Sequence, residues 1–275
     1  MKRLHIASRD NPKIKLYLKL LSSRKARQSE GKFVIEGARL CADAIAEYKN
    51  GRLSIYAAFA SPSAVEKYSE FIDPEMFGEC MDGKFFTLDE ALADKICNTG
   101  TSQGIFIIAG MPDNILDPER IKSNGRYLIL DNVQDPGNLG TILRTADAVG
   151  ADGVILSNSC CDLYNPKAVR ATMGSLFRLS IYIYDDFERL CGIFEKLGIK
   201  TMAAVIDKDA VSVEDAVYSD GCAVVIGNEG RGIPDSHVRL CREKITIRMR
   251  GNTNSLNAAM AAGIILWEMT EKGKA

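Results

Sequence analysis

Short runs of apolar residues alternate along this chain with longer stretches in which apolar residues recur at helical spacing. Apolar runs bounded by turn-forming residues are typical of buried strands, and apolar positions at i, i+3, i+4 and i+7 are typical of helices. The pattern predicts strands at 33–35, 53–59, 84–87, 104–109, 127–130, 153–156, 179–184, 201–206, 222–226 and 244–248. It predicts helices that begin at Pro12 and after Pro62 and Pro234, and helices at 37–48, 88–97, 139–149, 165–174, 187–197 and 255–269. Such alternation favours an α/β fold with parallel strands.

The same pattern predicts two domains. Residues 1–112 form a small α/β domain whose first helix places Ile14, Leu18 and Leu21 on one side. A stretch rich in Pro, Asp and Asn follows, which is typical of a linker, and we place this linker at 113–125. Residues 126–275 form the second domain. With 275 residues, 46% of them apolar, the chain is long enough for two buried cores.

Charge is unevenly distributed. The first thirty residues contain nine Lys or Arg and two acidic residues, although the net charge of the whole chain is −1. A basic amino-terminal arm on an otherwise acidic protein favours a polyanionic partner such as RNA. The alternative is that these side chains form only the solvated face of an amphipathic helix.

The cysteines and histidines argue against a metal enzyme. Eight cysteines occur without a CxxC pair, and the only histidines are His5 and His237, so neither a zinc site nor a disulfide framework is predicted. The amino terminus lacks an apolar run suited to a signal peptide, and the longest apolar stretch, 258–267, is too short to span a bilayer. We therefore expect a cytoplasmic protein without a metal.

Three predicted strands are followed by polar loops with unusual composition. The loop DNVQDPGN follows the strand at 127–130, GNEGRG follows the strand at 222–226, and RMRGNTNSLN ends the strand at 244–248. In an open α/β sheet, ligands bind at the carboxyl ends of the strands. The three loops together therefore predict one ligand site.

Each loop alone is a weak signal. Gly137 and Gly140 do not form the GxGxxG pattern of a dinucleotide site, and the second loop lacks the GK[ST] of a phosphate-binding P-loop. The glycines of the second loop are equally consistent with tight turns. Glu229 is equally consistent with a capping or solvated residue, and the asparagines of the third loop with turn and cap residues.

In combination, the loops resemble a known family. The segments DPGNLGTILRTADAVGADGVIL, IGNEGRGI and IRMRGNTNSLNAAMA are similar to the three ordered motifs of SpoU-type (TrmH-like) RNA ribose 2′-O-methyltransferases of the SPOUT superfamily. This resemblance covers residues 126–270 and implies a sheet with a deep trefoil knot. FVIEGARL and TSQGIFIIA give a looser resemblance to the small ribosomal-protein-like α/β substrate-binding domain that many family members carry.

The resemblance implies S-adenosylmethionine as methyl donor, bound by Gly227, Ile247 and Leu256. Arg144 takes the position of the family's site arginine, and we interpret it as a group that binds phosphate and stabilises alkoxide charge. The alternative is a surface salt bridge from Arg144 to Asp147 or Asp131. The remaining polar site positions are expected to orient the ribose, the loops or Arg144: Asn138, Glu229, Ser255 and Asn257.

The resemblance also implies an RNA partner. Lys167 and Arg170 lie in NPKAVRATMGSLFRL, a segment that relatives carry near the site, and are expected to contact phosphate unless they are only a solvated helix face. From the basic arm we expect RNA contacts by Lys13, Arg24, Lys25 and Arg27. Ribosomal RNA is the expected substrate, and transfer RNA is the alternative substrate. A second alternative is that the chain binds RNA without catalysing a reaction. A nucleotide-dependent dehydrogenase is suggested by the α/β alternation alone, but the chain lacks the GxGxxG fingerprint of such enzymes.

The last predicted helix favours a homodimer. The segment AAMAAGIILWEM, which begins at Ala258, has no polar residue until Glu268, whereas a surface helix has one polar face. It must therefore be covered on both sides, by a second copy of the chain or by another part of the same chain. Family members pair through helices of the knot region, which favours the second copy. Ser255 is the predicted cap of this helix.

Overall fold

The computed structural model describes residues 4–71, 83–218 and 221–271 and divides the chain into two compact units. The first unit comprises the residues up to Asp113 together with Tyr164–Phe177. The second comprises Asn114–Leu163 and the residues from Arg178 onward. The segment Tyr164–Phe177, which the sequence pattern assigns to the second domain, therefore groups with the first unit by its contacts.

A mixed five-stranded sheet forms the centre of the first unit. Its strands are β1 (Leu4–Ile6), β2 (Lys32–Glu36), β3 (Ile55–Ala60), β4 (Phe85–Leu88) and β5 (Ile105–Gly110), in the order β1-β4-β3-β5-β2. The strands β1, β4 and β3 are parallel, and β5 is antiparallel to both β3 and β2. The other four strands therefore all begin at the same end of the sheet.

Helices cover this sheet. They are α1 (Pro12–Ser22), α2 (Arg24–Glu30), α3 (Ala38–Lys49), α4 (Pro62–Lys67), α5 (Glu90–Ile96) and α7 (Pro166–Ala171). The buried side of α1 contains Ile14, Tyr17 and Leu20, while Leu18 and Leu21 are only partly buried. The predicted stripe on α1 is therefore confirmed for Ile14, whereas Leu18 and Leu21 only pack at the margin of the core that Tyr17 and Leu20 enter. The aromatic ring of Tyr17 takes the central place, because it packs edge-on against Phe106 with the ring centroids 5.5 Å apart.

A parallel sheet forms the centre of the second unit, as the sequence predicts, and it has seven strands where the pattern predicts six. Its strands are β6 (Arg126–Leu130), β7 (Gly153–Ser157), β8 (Ile181–Tyr184), β9 (Lys200–Ala204), β10 (Val211–Ser212), β11 (Cys222–Ile226) and β12 (Glu243–Thr246), in the order β10-β12-β9-β11-β6-β7-β8. From β6 the chain adds β7 and β8 on one side and then returns to the other. The switch in strand order lies beside β6 and β11, and ligands bind at such a switch in open α/β sheets.

Four helices of the described chain pack on this sheet in two pairs. They are α6 (Pro136–Val149), α8 (Phe187–Lys196), α9 (Asp235–Leu240) and α10 (Ala258–Glu271). The pairs are α8 with α9 and α6 with α10. Phe194 of α8 is fully buried in a core cluster with Ile129 of β6 and Val225 of β11. Helix α10 packs against α6 and contacts β6 and β11. The helices that follow the first and third motif loops, α6 and α10, therefore pack together beside β6 and β11.

The structure corrects several predicted boundaries. The last helix begins at Ala258 rather than Ser255. The predicted linker packs within the second unit, because Ile115 forms a bridge with Ile183 and Ile121 is buried in the core. The strands β1 and β10 were not predicted, since segments of three and two residues are too short to show a period. Among the described residues, no helix has the length and apolarity needed to cross a bilayer.

Candidate active site

The first two motif loops are adjacent because their strands are paired. Leu130 at the end of β6 lies opposite Ile226 at the end of β11, and the Asp131 N–H donates to the Ile226 carbonyl at 2.8 Å. Both loops leave the sheet at the same edge. The predicted meeting of these motifs at one edge of a sheet is therefore confirmed.

Side-chain hydrogen bonds shape the loop after β6. Asn132 has a positive φ of 62°, and the Gln134 amide bridges the Asn132 side chain at 2.6 Å and the Ser159 carbonyl at 2.7 Å. Asp135 then caps α6, because its carboxylate accepts from the Asn138 N–H at 2.8 Å. These bonds set the position of Asn138 on the first turn of α6.

Close backbone packing shapes the loop after β11. Asn228 forms a bridge with Gly232, and its side chain accepts from the N–H groups of Gly230 and Arg231, both at 3.0 Å. A Cβ atom at Gly227 would lie 2.3 Å from the Gly232 backbone, so only glycine fits there. Gly232 has a positive φ of 68°. For Gly227 and Gly232, the interpretation as residues of a tight turn is correct.

Glu229 joins the two loops. Its carboxylate accepts from the backbone N–H groups of Gln134 and Asp135, both at 3.0 Å, and from the Asn138 side-chain amide at 3.0 Å. Partial burial opposes ionisation of the Glu229 carboxyl, but these hydrogen bonds outweigh that effect and lower its pKa below the usual range. Glu229 is therefore held as an anion that organises the loop after β6.

Asn257 adds the third motif to this network. Its side-chain amide donates to the Asn138 side-chain oxygen at 3.0 Å. Its own oxygen accepts from the Ala259 N–H at 2.9 Å, so Asn257 caps α10. The prediction that Ser255 caps this helix was wrong, because the helix begins at Ala258 and Asn257 supplies the cap. Glu229, Asn138 and Asn257 form one hydrogen-bonded chain across the three motifs.

Arg144 lies exposed on α6. The carboxylates proposed as its alternative partners are engaged elsewhere: Asp147 pairs with Arg178 at 2.8 Å and Asp131 with His237 at 2.6 Å. Within residues 4–71, 83–218 and 221–271, no hydrogen bond or ion pair involves the Arg144 side chain. Its guanidinium is therefore available to a ligand.

Asp131 and His237 form a hydrogen-bonded pair next to the motif loops, and the sequence pattern did not predict this pair. Asp131 is only 4% exposed at the end of β6, and its carboxylate bonds the His237 Nδ1 atom. The His237 ring stacks on Phe187, with the centroids 4.2 Å apart and the rings 15° from parallel. This pair fixes the start of the loop after β6. A signal was available, because Asp131 directly follows a buried strand.

An apolar cavity of about 110 Å³ lies at the ends of β9 and β12. The predicted residues Ile247, Ser255 and Leu256 line it together with Ile206 and Ile265. These side chains come from the segment after β9, from the segment between β12 and α10, and from α10 itself, and their aliphatic surface suits a flat organic ring. Gly227 does not belong to the described lining.

The adjacent cysteines Cys160 and Cys161 lie under the loop after β6. The Cys160 thiol donates to the Leu130 carbonyl at 3.3 Å, and burial raises the pKa of Cys161 to about 12. A protonated thiol is a poor nucleophile. Among the described residues, no group of three or more His, Cys, Asp or Glu side chains is arranged to hold a metal ion.

The predicted RNA contacts differ in their exposure. Arg24, Lys25 and Lys167 are exposed, whereas Lys13 and Arg170 are half-buried. The structure corrects the expectation that Arg27 contacts RNA. It is 3% exposed and donates to the carbonyl oxygens of Leu20 and Leu21, so it satisfies the carboxyl end of α1 instead of facing RNA. Lys2 and Arg3 of the basic arm lie outside the described residues.

Comparison with known families identifies both parts of the chain. A family model described as the SpoU rRNA Methylase family matches residues 125–267. A second model, described as the MRM3-like substrate binding domain, matches residues 11–107. The first match covers the three motif loops, and the second covers most of the mixed sheet.

Several full-length proteins are similar. The 23S rRNA (guanosine(2553)-2′-O)-methyltransferase RlmP of Bacillus subtilis is 28% identical over 96% of this chain and 98% of its own. The mitochondrial rRNA methyltransferase 3A of Danio rerio is 30% identical over 90% of this chain and 65% of its own. A crystal structure of an AdoMet-bound rRNA methyltransferase from Sinorhizobium meliloti matches with a TM-score of 0.81 and 28% identity over 96% of each chain.

Proposed function

The chain belongs to the SpoU rRNA methylase family, and on this basis we propose that it transfers a methyl group from S-adenosylmethionine to a ribose 2′-hydroxyl of ribosomal RNA. The strongest support is the hydrogen-bonded chain of Glu229, Asn138 and Asn257, which joins the three motifs. Ribosomal RNA is preferred to transfer RNA because the Bacillus subtilis relative, which matches over 98% of its own length, is named for ribosomal RNA, as is the Danio rerio relative.

The aliphatic lining of the apolar cavity suits the adenine ring of the cofactor. Ile247 and Leu256 would hold the adenine ring on aliphatic surface, and Ser255 offers a hydroxyl at the rim. Gly227 would contribute through its backbone. S-adenosylmethionine, when bound, supplies a methyl group that its sulfonium already activates, so we propose no metal for the reaction.

Arg144 is the proposed catalytic group. During transfer the ribose oxygen gains the methyl group and loses its proton, so negative charge develops on that oxygen. A guanidinium keeps its proton far above neutral pH and presents a planar fork of donors. We therefore assign Arg144 to a substrate phosphate and to the developing alkoxide, rather than to proton removal. Asn138 and Asn257 would orient the ribose and the loops, and Glu229 would hold them in place.

The first unit is the proposed RNA-binding unit. Its match to a substrate binding domain and its exposed Arg24 and Lys25 support this role. Lys167 and Arg170 would add contacts from the segment that packs in this unit.

We also propose a cytoplasmic location, since seven cysteines in the described chain are free thiols, as expected in a reducing compartment.

We propose that the active form is a homodimer that pairs through α10. One side of the helix is buried, but Met260, Ile264 and Trp267 on the other side are 61%, 36% and 58% exposed. With Thr141 and Thr145 of α6 they border a groove of about 350 Å³. Exposed apolar side chains of this size favour burial against a partner. Sedimentation equilibrium of the full chain at micromolar concentration tests this, and a strict monomer would contradict it.

A trefoil knot is the proposed topology of the carboxyl-terminal segment. After β12, which lies between β10 and β9, the chain returns past β9 and β11 to place α10 against α6. This return supports a threaded path. An experimental structure traced without breaks through residues 221–271 would test the knot.

Mapping of methylated riboses tests the proposed function in cells. Ribose 2′-O-methylation blocks alkaline cleavage of the adjacent phosphodiester. We expect at least one alkali-resistant position in ribosomal RNA that disappears when the protein is removed and returns when it is restored. An unchanged map of ribosomal RNA, with a change in transfer RNA, would move the substrate to transfer RNA.

A further inference from the structure

One end of the mixed sheet in the first unit collects lysine and tyrosine side chains. Lys32 opens β2, Tyr56 is the second residue of β3, and Lys84 directly precedes β4. The pairs Lys32–Gly110 and Ile55–Ala109 place the starts of β2 and β3 beside the end of β5, and Phe85 pairs with Ala58 of β3. Lys13, on the first turn of α1, reaches the same place.

The tyrosine rings hold the lysines in position. The Lys13 and Lys32 ammonium groups lie 4.7 and 5.2 Å from the centre of the Tyr56 ring. Lys84 lies 5.1 Å from the Tyr48 ring and donates to the Tyr48 hydroxyl at 3.3 Å. Tyr56 is 43% exposed, so these groups are at the surface. An ammonium group over an aromatic face is held by the ring quadrupole and keeps N–H donors toward solvent.

These lysines differ from other basic residues of the same unit. Lys15 pairs with Asp10 at 2.9 Å, Lys19 pairs with Glu30 at 3.0 Å, and Arg52 pairs with Glu47. In contrast, the structure gives Lys13, Lys32 and Lys84 no ion pair with any carboxylate in the described part of this unit. Among the described residues of this unit, these three ammonium groups therefore form no ion pair, and Lys32 donates to the Glu30 backbone carbonyl at 3.1 Å.

We propose that Lys13, Lys32 and Lys84, held by Tyr56 and Tyr48, bind backbone phosphates of the RNA substrate. We call these five residues the lysine–tyrosine surface. The inference rests on the proposed function and specifies where the first unit meets RNA. It shares Lys13 with the basic arm and extends beyond it, because it includes residues of β2 and of the turn before β4. Ammonium groups suit phosphates as point charges, and such contacts contribute affinity without reading sequence.

The test is the salt dependence of RNA binding by the full-length protein. The triple variant Lys13→Gln, Lys32→Gln, Lys84→Gln is compared with a charge-matched control, Lys95→Gln, Lys196→Gln, Lys208→Gln, on an unmodified 23S ribosomal RNA transcript. Each lost phosphate contact lowers the slope of log K against log salt by about 0.7–0.9. We expect the slope of the first variant to fall by about two to three and its affinity to drop, while the control keeps the wild-type slope. Thermal unfolding and S-adenosylmethionine affinity should be unchanged in both.

The outcomes separate this inference from the proposed function. If the wild type methylates the transcript and the first variant keeps the wild-type slope, the lysine–tyrosine surface is not an RNA contact. A surface for an acidic protein partner would give that same result. Equal losses in both variants would also overturn the inference, because the effect would then be one of net charge. If the wild type methylates no RNA, the proposed function fails independently of the slopes.

Discussion

Glu229 is the residue that holds the loops of the candidate site together. Its carboxylate accepts hydrogen bonds from two backbone N–H groups of the loop after β6 and from the Asn138 side chain. Asn138 in turn accepts from Asn257. One anion thus sets the geometry of residues from three separate motifs. Loss of its charge is expected to loosen the site before it unfolds the protein.

This arrangement predicts a pH-dependent stability difference for Glu229→Gln. A carboxyl whose pKa is lower in the folded protein stabilises the fold above its unfolded pKa of about 4.3, and the stabilisation is lost as the pH falls through the folded value. We expect the wild type to unfold at a higher temperature than Glu229→Gln at pH 7, with the difference shrinking below about pH 4. Glu66→Gln, at an exposed helix position, is the control. A difference that is constant down to pH 3 would contradict this role.

Arg144 is predicted to act on the acceptor rather than on the cofactor. Arg144→Lys keeps the charge but loses the planar fork, so we expect methyl transfer to fall by about 100-fold or more. The affinity for S-adenosylmethionine, measured by calorimetry, should remain close to that of the wild type. Arg242→Lys is the control, because Arg242 pairs with Glu195 in an exposed ion pair. Wild-type turnover by Arg144→Lys would show that Arg144 is not the catalytic group.

Two glycines of the same loop should respond differently to alanine. A Cβ at Gly227 would lie 2.3 Å from the Gly232 backbone, whereas a Cβ at Gly230 meets only the Asn228 side chain at 3.7 Å. We expect Gly227→Ala to destabilise the fold by about 1–3 kcal/mol, as overpacking does, and Gly230→Ala to have little effect. Denaturant unfolding measures both. Equal stability of the two variants would mean that the backbone at Gly232 moves freely.

The residues of the site were only partly predictable from the sequence. Asn138, Glu229 and Asn257 lie together as the motifs suggested, because each follows a strand of one parallel sheet. Arg27 was misassigned, since a basic residue in a basic segment gives no sign that it satisfies the carbonyls of the preceding helix. The pairing of Asp131 with His237 joins residues 106 positions apart, which local patterns do not reveal.

Helix α10 is the element whose sequence says most about assembly. Its uniformly apolar composition predicted cover on both sides, and the structure buries one side within the chain while leaving Trp267 and Met260 exposed. The interpretation that the same chain covers the second side is therefore wrong for these two residues. Long strands and helices were predicted well, because their apolar periods are regular. The short strands β1 and β10 depend on distant partners and were missed.

If α10 forms the proposed dimer interface, Trp267→Glu should yield a monomer. A charged side chain in place of the exposed indole leaves an unpaired charge in the interface, which disfavours association. The wild type should sediment as a dimer at the same concentration. Trp267 is 58% exposed in the single chain, so the variant should still fold. A Trp267→Glu protein that remains dimeric would place the interface elsewhere.

At the scale of the whole molecule, the chain does not divide at a single point. Tyr164–Phe177 leaves the second unit after β7, packs with the first unit and returns before β8. The Tyr164 ring lies 4.7 Å from the Phe33 ring, and α7 contacts β2. The sequence pattern did not reveal this, because a helix between two parallel strands normally covers their own sheet. Removal of residues 1–112 would therefore expose apolar side chains of this segment.

We propose that this chain methylates ribose in ribosomal RNA with Arg144 as the catalytic group. The most direct measurement incubates purified wild type and Arg144→Ala with methyl-labelled S-adenosylmethionine and an unmodified 23S ribosomal RNA transcript. The label should enter a specific alkali-resistant ribose with the wild type, and the variant should bind the cofactor but transfer almost no label. Label on a base instead of a ribose, or equal transfer by both proteins, would contradict the account.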